Sequence, residues 1–209
     1  MMRFKLLNVN NSDKLLKLSK IKRSFLSKKE DMSLFHYFEV EQDLFHIVMH
    51  INDEYLLTTK KNGNYMNVPF SHYINCFFLK NSHYFFIEDI GDGYINDITA
   101  YLSKKTNAEF DSIEFNNKQI EKLISYFQGF IRKVEYKDQY DDFVDYENIT
   151  MNQFQNYNLE LDIDFITFLV NSNFISIYKN GKISVDNSEE EYVINFVKDV
   201  TYGLEKNTY

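Results

Sequence analysis

The sequence predicts an α+β fold, with a mixed sheet that has antiparallel hairpins at its N-terminal end. A β-α-β-α-β middle and a small C-terminal helix-hairpin-helix unit follow. Three observations carry this expectation. Apolar and polar residues alternate in several short runs before Pro69. The apolar spacing changes to helical after Gly93 and again after Asn117. Two Asn-Gly pairs, Asn62-Gly63 and Asn180-Gly181, stand between alternating runs, where a tight type I′ turn needs positive φ at both central positions.

Taken in order, Met2–Leu7 alternates as a short strand, and Asn11 or Ser12 caps a helix reaching about Ser27. Three alternating runs follow: Leu34–Val40, Leu44–Ile51 and Glu54–Lys60. Tyr65–Val68 returns after Asn62-Gly63, and Pro69 is expected to end it because proline has no ladder donor. His72–Lys80 is apolar and fits a strand or a buried helix, while Tyr84–Ile87 reads as a central strand. The helix after Gly93 carries Ile95, Ile98, Tyr101 and Leu102 on one face, with Lys104 and Lys105 at the end that a helix dipole favours. Ser112–Phe115 is a short strand. Asn116 or Asn117 caps a helix with the stripe Ile120, Leu123, Ile124 and Phe127, which Gly129 stops before a strand over Phe130–Tyr136.

These elements suggest a domain over 1–136, an acidic aromatic linker over 137–152 and a small unit over 153–209. In the last unit Phe165–Val170 reads as a short buried helix. Phe174–Tyr178 and Lys182–Val185 form a hairpin, and Ser188 with Glu191 has capping-box spacing before the final helix. The unit resembles a winged helix in skeleton. Its last helix is acidic, through Glu189, Glu190, Glu191 and Asp199, which disfavours a place in the major groove.

Composition bounds the function. The chain has 209 residues, 44% hydrophobic and 26% charged, enough for a buried core. One cysteine, Cys76, allows no internal disulfide and suits a reducing cytoplasm, where it reads as a small buried hydrophobe. No apolar run approaches the ~20 residues of a membrane span, and no signal peptide is expected. The net charge of −8 is unevenly spread: residues 1–30 hold nine basic and two acidic residues, and the rest hold 14 and 29. An acidic body repels phosphate, whereas the basic arm, through Lys17, Lys20, Lys22 and Arg23, offers a nucleic-acid contact or simply a solvated helix surface.

Sites for chemistry are sparse. Glu88 closes a strand before Gly91-Asp92-Gly93, and Asp162 and Asp164 share a face of an extended chain. Together they would hold Mg²⁺ or Mn²⁺ for phosphodiester cleavage, in an order that resembles Toprim-type sites. Glu135 and Lys137, with Asp111 upstream, similarly resemble the core of a restriction-type nuclease. His36, His46, His50, His72 and His83 lack zinc-site spacing, and no phosphate loop, dinucleotide fingerprint or nucleophile elbow is present. No cofactor is expected outside the metal reading.

The segment from Glu135 to Thr150 interleaves six acids with aromatics, opposed only by Lys137. Tyr140, Asp141, Asp142, Phe143, Asp145 and Tyr146 are therefore the expected partner-binding residues, since tyrosines anchor and acids steer a basic partner. The leading expectation is a non-catalytic protein-binding factor, an accessory subunit or an immunity-type or inhibitory protein. The Asn-, Ile-, Lys- and Tyr-heavy usage points to an AT-rich bacterial or phage source, with antiviral defence or counter-defence as the setting. A metal-dependent nuclease is the alternative.

Overall fold

The computed structural model describes residues 1–21, 31–58, 63, 65–137, 140, 142–157 and 161–205. Among the described residues eleven strands form one antiparallel sheet, and helices lie against both of its faces. The strands are β1 (Met2–Val9), β2 (Met32–Glu41), β3 (Leu44–Thr58), β4 (Tyr65–Leu79), β5 (Tyr84–Glu88), β6 (Phe110–Ser112), β7 (Phe130–Lys137), β8 (Phe143–Glu147), β9 (Asp162–Val170), β10 (Asn173–Tyr178) and β11 (Lys182–Val185). Helices α1 (Asp92–Thr106), α2 (Asn117–Phe127), α3 (Met151–Tyr157) and α4 (Glu190–Glu205) join a 3-10 helix over Ser12–Lys20. Strand order is β2-β3-β4-β5-β1-β11-β10-β9-β7-β8, with β6 paired to β1. The fold is α+β and β5-α1-β6-α2-β7 follow one another as expected, but every pairing in the sheet is antiparallel where a mixed sheet was expected, and the short strand between the helices is Phe110–Ser112 in place of Ser112–Phe115.

The sheet passes through the boundaries suggested by composition. Strand β1 pairs with β5 on one side and β11 on the other, and β7 pairs with β9. The β10–β11 hairpin is therefore the middle of the common sheet, not the wing of a separate unit. Residues Phe143–Glu147, expected in a linker, form edge strand β8 against β7. Phe165–Val170 is strand β9 rather than a helix. It lies between β7 and β10, and a strand flanked on both sides reads as a continuous apolar run.

Two cores lie on opposite faces. Phe4, Leu6, Phe77 and Phe86 face α2, α3 and α4, whereas Leu7, Val9, Cys76, Phe78 and Ile87 face α1 and the 3-10 helix. The rings of Phe4 and Phe86 meet edge to face, 6.2 Å apart. Helix α2 starts with the capping box of Asn116 and Gln119 and ends at Gln128, whose φ is +53°. At the entrance to α4, Asn187 supplies the side-chain acceptor, taking a bond from the Glu189 N–H.

Two turn expectations change in detail. Tyr178 and Lys182 bracket a three-residue connection in which Gly181 alone has positive φ, so the turn is not type I′. Asn62 lies outside the described residues, while Gly63 has φ +60°. Strand β4 runs through Pro69, which pairs with Glu54. Strand β5 pairs only with Cys76–Phe78, so β4 has a free edge at Pro69 and the missing N–H costs no sheet bond.

Candidate interaction surface

Strands β3 and β4 are both 15 residues long and pair over their whole length, from Leu44↔Leu79 to Thr58↔Tyr65. Their neighbours are shorter. Strand β2 reaches only Met32↔Ile51, and β5 stops at Cys76. Among the described residues the outer part, 52–58 with 65–71, therefore projects beyond the sheet as a two-stranded arm.

The arm is apolar and unburied. Tyr55, Leu56, Leu57 and Met66 are 53, 69, 52 and 62% exposed. Leu56 and Leu57 are consecutive and point to opposite faces, so neither face of the arm is purely polar. Where the arm meets the sheet, Phe35, Phe38 and Tyr73 continue the exposed surface. Seven of the 13 large hydrophobic side chains exposed among the described residues thus lie on β2, β3 and β4. A concentration of this kind, as opposed to scattered single residues, marks an interaction surface.

Histidines lie within this surface. The His36 ring stacks on Phe38 at 4.6 Å, and His50 lies 4.8 Å from Tyr73. His46 is set deeper and stacks on Phe77 at 4.4 Å. Asn75 links it to Glu88: the Asn75 amide nitrogen donates to Glu88 Oε2 at 2.8 Å, and its Oδ1 lies 2.9 Å from His46 Nε2. Since Oδ1 can only accept, His46 carries its proton on Nε2. Burial pulls the His46 pKa below 6.5, against the upward influence of the Asn75 bond.

Between the base of the arm, the start of β2 and helix α1 lies an open groove of about 1040 Å³. Met32, Ile51, Phe70, Tyr94 and Tyr101 line it. So do Asp31, Asp53, Glu54 and Asp97, and among the described residues no basic side chain does. The Tyr94 hydroxyl donates to Asp53 Oδ2 at 2.6 Å, and this bond, then the Glu54 N–H, holds the Asp53 carboxyl below the usual carboxylate range.

The residues singled out from sequence are dispersed. Glu88 is engaged by Asn75 and is separated from Asp162 and Asp164 by four strand spacings, about 19 Å. Asp162 faces Lys179 at 3.4 Å, and the Asp164 carbonyl accepts from the Lys179 N–H. Among the described residues no group of three or more His, Cys, Asp or Glu is placed to hold a metal ion. Asp111 pairs with Asn8 on β1, whereas Glu135 and Lys137 lie on β7, so the restriction-type trio is not assembled either.

Tyr140 and Phe143 are outward, at 76 and 58% exposure, but Tyr146 turns inward and stacks on Tyr157 at 4.2 Å. Asp145 is ion-paired with Lys133 at 2.8 Å, and Asp142 is exposed. Asp141 lies outside the described residues, as do Lys22 and Arg23 of the basic arm. Lys17 donates to the Thr106 carbonyl at 3.2 Å, and Lys20 ends the 3-10 helix exposed. His72 and His83 are exposed at separate places, on β4 and before β5. Cys76 is fully buried, and burial pushes its thiol pKa up, so it is not poised as a nucleophile.

No helix among the described residues is long and apolar enough to cross a membrane. No protein-family model matches the chain, and no curated protein is significantly similar to it.

Proposed function

We propose that this chain is a non-catalytic interaction protein, an accessory or inhibitory factor that acts by binding another protein through the β3–β4 arm and the adjoining face of β2. The projecting arm carries this reading: exposed Tyr55, Leu56, Leu57 and Met66 stand where, among the described residues, β3 and β4 have only each other as neighbours. Leaving four large apolar side chains in water is unfavourable for an isolated chain, by roughly 1.5–3 kcal/mol for each that a partner would bury fully. The acidic body argues against phosphate-bearing partners, since its field repels them. Phage–bacterium conflict is the setting we infer from composition, and the acidic edge at β8 is a secondary contact.

The test is co-purification of the tagged full chain from its source cells beside the double variant Leu57→Asp, Met66→Asp. Both side chains are exposed, so the variant keeps the fold, which circular dichroism checks. A stoichiometric protein retained by the wild type and lost from the variant supports the reading. A partner retained equally by both removes the arm from it.

A further inference from the structure

The groove at the base of the arm has features that define its occupant more closely, and the argument rests on the interaction reading above. Strand β2 ends its pairing at Met32↔Ile51, and the last bond on that side is from the Asn52 N–H to the Asp31 carbonyl at 2.7 Å. From Asp53 to Thr58, β3 therefore has β4 on one side and, among the described residues, no strand on the other. A free strand edge recognises extended backbone through its N–H and C=O groups; the Glu54 N–H is taken by Asp53 Oδ1 at 2.7 Å, so among the described residues the open ladder positions begin at Leu56.

Side chains around that edge select by charge and shape. Asp53, Glu54 and Asp97 join Asp31 at the groove, and the Tyr94 bond fixes the Asp53 carboxylate in position. Phe70 and Tyr101 add aromatic rings to the lining, and Lys105 Nζ lies 5.3 Å from the Tyr101 ring centre. Acids beside aromatic rings favour Lys and Arg through charge and cation–π attraction together. Met32 and Ile51 lie on the same face as Asp53, so they meet the aliphatic stems of the cations.

We propose that this groove binds an extended, basic segment of the partner protein, added as a strand along β3 beyond Glu54, with its cations on the Asp53 face of the sheet, over Asp53 and Asp97. The partner is thus held at two places, by the tip of the arm through apolar contact and by the groove through a basic strand.

A fluorescein-labelled peptide of four Thr-Lys repeats with a terminal Tyr tests this on the full chain, with a Thr-Glu counterpart as control. Binding is read by anisotropy and by the methyl NMR signal of Met32, with Met151 on α3 as an internal reference. The expected result is saturable binding of the lysine peptide that shifts Met32 and leaves Met151 unmoved. Affinity should fall tenfold or more in Asp53→Asn, Asp97→Asn and stay unchanged in Glu114→Gln, an exposed acid elsewhere. Equal binding of the glutamate peptide, an unmoved Met32 signal or an unaffected double variant would overturn it. Binding that emerges only after Lys22, Arg23, Lys28 and Lys29 are changed to Ser would also overturn it, in favour of the chain's own basic stretch as occupant. Leu57 and Met66 are not groove residues. A groove that fails while Leu57→Asp, Met66→Asp still abolishes co-purification therefore removes this inference and leaves the interaction reading standing.

Discussion

Tyr94 on α1 donates its hydroxyl to Asp53 on β3 at 2.6 Å, and this bond joins a helix to the root of the projecting arm. Neither group is buried, so its influence is local: it sets where the Asp53 carboxylate sits and how readily that group takes a proton. Tyr94→Phe should let the Asp53 pKa rise towards its ordinary value of 3.8, because the hydrogen bond that favours the ionised form is gone. Carboxyl ¹³C titration of both proteins reads this, and an unmoved Asp53 midpoint would show that the bond does not form in solution.

His46 should make stability depend on pH. Its folded pKa lies below the unfolded value of 6.5, chiefly through burial, so the unfolded chain binds the proton more readily. The contribution is fully present above pH 6.5 and is lost as pH falls through the folded pKa. Asn75 holds the ring from one side, and Glu88, Glu190 and His36 act on it through their charges. Comparing urea midpoints at pH 7.5 and 5.5, His46→Gln should lose less stability than the wild type. Equal losses would mean that His46 titrates as in the unfolded chain.

Gly181 is expected to be far less replaceable than Gly63. Both have positive φ, but a Cβ at Gly181 would meet the Ile113 carbonyl oxygen at 2.5 Å, while at Gly63 nothing lies within 4 Å. Left-handed backbone alone costs a non-glycine residue about 1–2 kcal/mol. Gly181→Ala should therefore exceed that cost and Gly63→Ala should stay within it, as thermal unfolding can measure. Equal effects would show that the β10–β11 turn does not abut Ile113.

Phe4 is placed to test whether the sheet unfolds as one body. It pairs with Glu88 on β5 and with Ile183 on β11, and its ring touches Phe77 and Phe86. Phe4→Ala should cost about 3–5 kcal/mol, typical of a buried phenylalanine, and should lower a single transition. For the same reason 153–209 should not fold alone, because β1 and β7, the outer neighbours of β11 and β9, are then missing. A folded circular dichroism spectrum from that fragment would contradict the continuity of the sheet.

Much of the fold was legible in local pattern, and the losses have physical causes. The helix stripes of α1 and α2 follow from spacing, since each helix buries one face, and of the two asparagines expected to cap α2 the structure uses Asn116. Sheet order is different: β1 lies between β5 and β11 through contacts distant in sequence, which no local period encodes. Phe165–Val170 misleads because a strand with neighbours on both sides loses its alternation. The arm was missed for a related reason. Tyr55-Leu56-Leu57 breaks the alternation of Glu54–Lys60, and three consecutive large apolar residues in a polar-flanked strand are the available signal. The aromatic acids at 140–146 drew attention by composition, yet their geometry turns Tyr146 into the core and pairs Asp145 with Lys133.

The central claim is that a protein partner sits on the β3–β4 arm, and site-specific photocrosslinking in source cells tests it most directly. A benzophenone amino acid would replace Leu57 on the arm, Phe143 on edge strand β8 or Tyr202 on α4, each exposed in the free chain. The expected result is one adduct of defined mass from position 57, weaker or none from 143, and none from 202. Absence of any adduct at 57, with a clear one at 143 or 202, would contradict the claim and move the interface away from the arm.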